Sequence, residues 1–246
     1  MWTWFYRLAS PPGFYRFTER LAPWLAGVGG LMLACGWFAG LVLAPADYQQ
    51  GEAFRIIYVH VPAAALSLSV YTGMALAGAI ALIWRLKLAE CVLLAAAPVG
   101  ASLTALALIT GMLWGKPMWG AYWVWDARLT AELVLLFLYL GVMLIGDAIE
   151  DPRRAARAAA WLAIVGVVNV PIVKYSVDWW NSLHQGSTVL AFQKPTISLE
   201  MALPLYACLL GTLLWVVHAV LRRTQNRVLR LERGSRWVQD LRRPRP

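Results

Sequence analysis

Six apolar runs, near residues 23 to 44, 58 to 84, 91 to 113, 129 to 146, 155 to 173 and 201 to 221, constrain this sequence more than anything else in it. Each is about long enough to cross roughly 30 Å of hydrocarbon as a helix rising 1.5 Å per residue. The fifth opens with Arg157, whose long stem lets its charge reach the surface. With 60% hydrophobic and 14% charged residues, composition places the chain in the membrane class. The expectation is an all-α integral membrane protein of six transmembrane helices, forming one polytopic domain over residues 1–246. Within it we expect an interfacial segment at 1–22, a six-helix domain at 23–221 and an arginine-rich tail at 222–246.

The formal net charge of +9 would suggest nucleic acid until the charges are located. Nine arginines fall between Arg222 and Arg245, and the rest flank apolar runs, with no recognised binding motif among them. Nucleic-acid binding is therefore set aside. If both termini are cytoplasmic, seventeen of the 22 Lys and Arg residues lie on that side, including Arg7, Arg16, Arg20, Arg85, Lys87, Arg153 and Arg154. Only Arg55, Lys116, Arg128, Lys174 and Lys194 lie opposite. That asymmetry predicts cytoplasmic termini, with the outer loops in the periplasm of a bacterial inner membrane. The tail interleaves Val228, Leu229, Leu231, Trp237, Val238 and Leu241 with arginines, as expected for a helix on anionic lipid or one docked to a cytoplasmic partner. Pro11-Pro12 precede any long apolar run, unlike a cleaved signal peptide, so the first span should be retained. Cys35, Cys91 and Cys208 form neither a metal motif nor a haem-attachment site and are read as packing residues.

The longer connections, 45 to 57, 114 to 128 and 174 to 200, fall on the outer side, and long ordered loops usually carry function. Trp114, Trp119, Trp123 and Trp125 precede Asp126 in a run punctuated by Gly115, Pro117 and Gly120, which predicts something other than a helix interior. Such rings need apolar surface on one side and a partner for each indole N–H. The run is either an aromatic belt at headgroup level or a surface for a flat ligand.

Two histidines share that face. His60 lies at the outer end of the second run, and His184 lies in the outer loop before the sixth, whereas His218 sits near the inner end. A lone histidine at a helix end is ordinarily a polar interface residue, but a pair can fill both axial positions of a haem iron, whose macrocycle needs aromatic surface. Zinc would want three or four close ligands, and hydrolysis would want a nucleophile beside a histidine; neither pattern is present. Arg55 and Arg128, with Lys116 a third candidate, could receive haem propionates, against interfacial snorkelling or, for Arg128, pairing with Glu132. Asp126 could orient a tryptophan N–H or the chain turn.

Trp119-Gly120-Ala121-Tyr122-Trp123-Val124-Trp125-Asp126 resembles the tryptophan-rich signature W-G-x-x-W-x-W-D of the haem-handling membrane proteins of cytochrome c biogenesis. Together with Trp114-Gly115-Lys116-Pro117, Val59-His60-Val61-Pro62 and Asn181-Ser182-Leu183-His184-Gln185-Gly186, it is similar to the CcmC (haem exporter protein C) family over nearly the whole chain. Tyr122 stands where a further tryptophan is often seen in that family. The resemblance implies a subunit that is not itself an enzyme, in a CcmABCD complex. It would present haem b at the periplasmic face to the chaperone CcmE. CcmA and CcmB would supply the ATPase, and CcmD would be a small membrane partner. By position, His60 and His184 would be the axial ligands. The tryptophan-rich stretch would be the platform for haem and chaperone. No Walker motif occurs in the chain, so ATP hydrolysis belongs to partners. Two rivals are a b-type cytochrome anchor working with quinone, and a transporter moving haem through its own helices. The first predicts histidines on both sides of the membrane. The second predicts polar lining, for which only Glu132 and Asn169 are evident.

Overall fold

A computed structural model describes residues 10–180, 184 and 197–242. Arg7, Lys194, Arg243 and Arg245 of the charge tally, and Asn181, Ser182, Leu183, Gln185 and Gly186 of the histidine-bearing segment, lie outside the described residues. Helix α1 spans Pro11–Phe38 and continues into a π-helical turn, Ala39–Leu43. A 3-10 turn, Glu52–Ile56, leads into α2, Ile57–Trp84, followed by α3, Lys87–Trp119, and α4, Ala127–Ala148. Then come α5, Pro152–Gly166, α6, Asn169–Trp179, α7, Leu199–Leu231, and the short α8, Arg236–Arg242. Helices α5 and α6 run on as one span, so six segments are long and apolar enough to cross a membrane. With no strand among the described residues, the chain is an all-α integral membrane protein.

Most helices outrun the apolar runs that predict them. Ser10 accepts a hydrogen bond from the Gly13 amide at 3.3 Å, and Pro11 occupies the first helical position, so α1 opens well before residue 23. Residues 11–22 are thus its first turns rather than a separate element. Helix α7 likewise runs through Arg222, Arg223, Arg227 and Arg230, because arginine favours helix and no breaker intervenes before Gly234. The tryptophan-rich stretch is corrected in part: Trp114 to Trp119 form the last turns of α3, not an irregular loop. Pro117 sits close enough to the helix end that its missing N–H costs one terminal bond rather than the helix. Gly120, at φ 76°, then ends α3 in the left-handed conformation, its N–H on the Lys116 carbonyl at 3.0 Å.

Helix α2 packs on α3, α5 and α7, α4 packs on α3, α5 and α6, and α7 carries α1 on its outer flank. The main core joins Tyr71, Met74, Leu93, Leu135, Tyr139 and Val142 to the alanines of α5, whose small side chains admit close helix approach. Tyr139 donates to the Ser67 carbonyl at 2.6 Å, satisfying its hydroxyl inside the bundle. At one end of the bundle the opening of α1 meets the end of α7 and the short α8: Tyr15 lies 5.8 Å from the Trp237 ring of α8, and Gln225 of α7 donates to Glu19. Arg85 and Lys87 belong to the same end, Lys87 bonding Glu232 at 3.3 Å. Both candidate ligand histidines lie at the other.

Candidate functional site

His60 stands in the first turns of α2, facing α3. Its Nδ1 lies 3.0 Å from the Thr110 hydroxyl, and that hydroxyl donates its own proton to the Leu106 carbonyl at 2.6 Å. Thr110 is left to accept, so Nδ1 carries the proton and the lone pair falls on Nε2. Gly111 makes the approach possible, since a Cβ there would lie 3.2 Å from His60 Cε1. One turn along α3, Trp114 sets its edge against the imidazole at 5.6 Å and 79°. Its Nε1 donates to Gln50 at 2.9 Å, and Phe54 packs on its far side. The indole is therefore held by both its polar and its apolar surfaces.

His184 is built in parallel by different elements. Asp126 is the N-cap of α4, one carboxylate oxygen accepting from the Leu129 amide at 2.8 Å. The other oxygen lies 2.8 Å from His184 Nδ1. A carboxylate can only accept, so this imidazole too is protonated at Nδ1 with its lone pair on Nε2. Burial pushes the His184 pKa below the ordinary imidazole value, with Asp126 opposing, which favours the neutral ring that a metal ligand must be. Trp119 meets the ring at 4.8 Å and 68°, so one helix, α3, supplies the tryptophan against each histidine. His60, His184 and Arg128 lie within electrostatic reach of one another.

The remaining candidates divide. Arg128 is half-buried and donates to the Lys174 carbonyl and the Ser176 hydroxyl, both at 3.3 Å, tying α4 to α6. Glu132 accepts from Ser67 at 2.9 Å, so the anticipated Arg128–Glu132 ion pair is not formed. Arg55 pairs with Glu52 and donates to the Gly40 carbonyl at 2.9 Å, holding the π-helical turn rather than meeting either histidine. Lys116 bonds the Gly120 carbonyl at 3.0 Å and lies over Tyr122. Trp123 and Trp125 meet at 5.3 Å and 79°. The Trp123 Nε1 is buried with no acceptor among the described residues, while Trp125 is 77% exposed. Tyr175 and Trp179 stack at 5.6 Å with Trp180 beside them, extending the exposed aromatic surface. His218 bonds the Ala22 carbonyl at 2.7 Å and fastens α7 to α1.

Sequence reasoning missed Thr110, Gln50 and Ser176. Thr110 carried a faint signal: it precedes Trp114 by four residues, one helical turn.

Comparison with known proteins matches residues 4–239 to the family model described as Heme exporter protein C. The chain is 49% identical to heme exporter protein C of Escherichia coli strain K12 over 98% of this chain and 97% of that one. It is 46% identical to the protein of that name from Haemophilus influenzae, covering 98% of each. The Bradyrhizobium diazoefficiens protein of the same name is 47% identical over 91% of this chain and 84% of its own.

Proposed function

The chain belongs to the heme exporter protein C family, and on that premise we propose that it holds haem at the bundle end bearing His60 and His184 and passes it to a chaperone during cytochrome c maturation. The observation that carries this reading is the shared tautomer of the two histidines. Each is fixed through Nδ1, presents the Nε2 lone pair and rests against a tryptophan of α3. This is the preparation that axial ligation of an iron porphyrin requires. Haem b is the group this donor set fits, and it supplies the iron and the vinyl chemistry when bound. The chain's residues supply placement. His60 and His184 ligate, Thr110 and Asp126 hold their tautomers, and Trp114, Trp119 and Trp123 give the ring an apolar seat. Arg128 offers a cation at its edge, while exposed Trp125, Trp179 and Trp180 offer the chaperone a surface. The face is periplasmic, the receiving chaperone is CcmE, and CcmA, CcmB and CcmD complete the assembly.

Neither rival gains support. His218, fixed on the Ala22 carbonyl away from the pair, is a single histidine, whereas a quinone-linked cytochrome would need a second ligand beside it on that side. Glu132 and Asn169 bond Ser67 and the Ala131 carbonyl, so the polar groups inside the bundle close on one another instead of lining a path. Absorption spectra of purified variants test the assignment. H60A and H184A should each lose retained haem and the bis-histidine spectrum, while H218A keeps it. An unchanged spectrum in both of the first two would remove the ligand assignment.

A further inference from the structure

At the bundle end opposite the histidines lies an open groove of about 850 Å³. Among the described residues its apolar wall includes Phe14 and Phe17 of α1, Ile80 of α2 and Val92 of α3, with Trp237 of α8 at its rim. Its polar mouth is the turn between α2 and α3. There Lys87 and Glu232 neutralise one another at 3.3 Å. Arg85 is exposed and makes no ion pair among the described residues, so one positive charge is uncompensated at the head of an apolar channel. Leu86 gives α3 no side-chain cap, which leaves amide hydrogens of the opening turn to an outside acceptor.

Arg85 carries a second signal in its backbone. At φ 52° it is the one non-glycine residue with positive φ among those described. It occupies the left-handed cap of α2, a conformation glycine adopts freely and side-chain-bearing residues rarely adopt. The left-handed turn brings Arg85 into the lining of the groove.

We propose that this groove seats an anionic glycerophospholipid, its phosphate at Arg85 and the α3 opening turn, its acyl chains along Phe14, Phe17, Ile80 and Val92. The occupant must be apolar along most of its length and negative at one end, and it must be present where membrane-spanning helices terminate. A lipid of that leaflet meets all three conditions. An apolar helix of another subunit would strip water from Arg85 without returning a charge.

The full-length protein in mild detergent can be titrated with phosphatidylglycerol, with phosphatidylethanolamine of the same chains and with inorganic phosphate, binding being read by native mass spectrometry and thermal shift. Phosphatidylglycerol should be retained preferentially. R85G should reduce that preference about fivefold, the worth of one basic residue at a lipid surface. Because glycine relaxes the backbone, R85G without lipid should melt no lower than the parent, which separates loss of the site from loss of the fold. Equal retention of both lipids, or an R85G variant that keeps its preference, would overturn the proposal. An equal thermal shift from inorganic phosphate would overturn the lipid as source. A photoreactive benzoylphenylalanine at position 17 should give lipid adducts in native membranes, and protein-sized adducts alone would assign the groove to another subunit.

Discussion

At the scale of single residues, Asp126 has two tasks on its two oxygens, capping α4 and holding His184. The tasks separate by substitution. Asparagine caps a helix about as well as aspartate, so D126N should leave thermal stability nearly unchanged. It removes the charge that fixes the imidazole tautomer, and haem retention should fall about 10- to 100-fold, the usual cost of losing a group that orients a ligand. D126A adds the loss of the cap, about 1 kcal/mol in thermal unfolding. T110V tests the other side of the pair. It keeps the shape of the side chain, takes the acceptor from His60 and should lower haem retention comparably, while T110S restores it. Equal retention in D126N, T110V and parent would reduce both contacts to packing. His60, His184 and the tryptophans from Trp114 to Trp125 stood out in the sequence as candidates because they are chemically uncommon in such company and the charge pattern puts them on one face. Thr110 was not, because a threonine in an apolar helix ordinarily bonds its own preceding turn, as this one also does.

At the scale of elements, the apolar runs located every span but misjudged where the helices stop. Hydropathy reports what can sit in hydrocarbon, whereas a helix ends where a cap or a left-handed residue ends it. Arginines in α7 and Pro117 in α3 leave the hydrocarbon pattern without leaving the helix. This matters most at Gly120, whose positive φ turns the chain from α3 toward Trp123 and Asp126. G120A should cost about 1–2 kcal/mol of stability, the penalty for a Cβ in that conformation. It should also lower haem retention, since Trp119 lies before the turn and Trp123 beyond it. A variant that melts with the parent and keeps its haem would mean that the turn tolerates other geometries. The π-helical turn at Ala39–Leu43 had no sequence signature, because what holds it is the guanidinium of Arg55 on the Gly40 carbonyl, fifteen residues away.

At the scale of the whole molecule, the charge asymmetry predicts which end faces which compartment. In a variant whose three native cysteines are replaced by alanine, Q49C should react with a membrane-impermeant maleimide once the periplasm is opened. G234C should react only when the inner membrane is also broken. The reverse pattern would invert the proposed orientation and place the histidines in the cytoplasm. The arrangement of helices has a separate consequence for how the chain is made. Helix α1 is synthesised before the other five spans described here, yet its principal neighbour is α7, the sixth of them along the chain. The two meet so closely that a Cβ at Gly36 would lie 2.7 Å from Cys208 Sγ, and one at Gly211 would lie 2.9 Å from the Leu33 amide nitrogen. Until translation passes Leu231, the glycine face of α1 has only lipid to pack against. The contact between α1 and α7 is therefore the slowest of these to become available, and a ribosome halted before residue 199 leaves a bundle in which α1 has not yet been given its place.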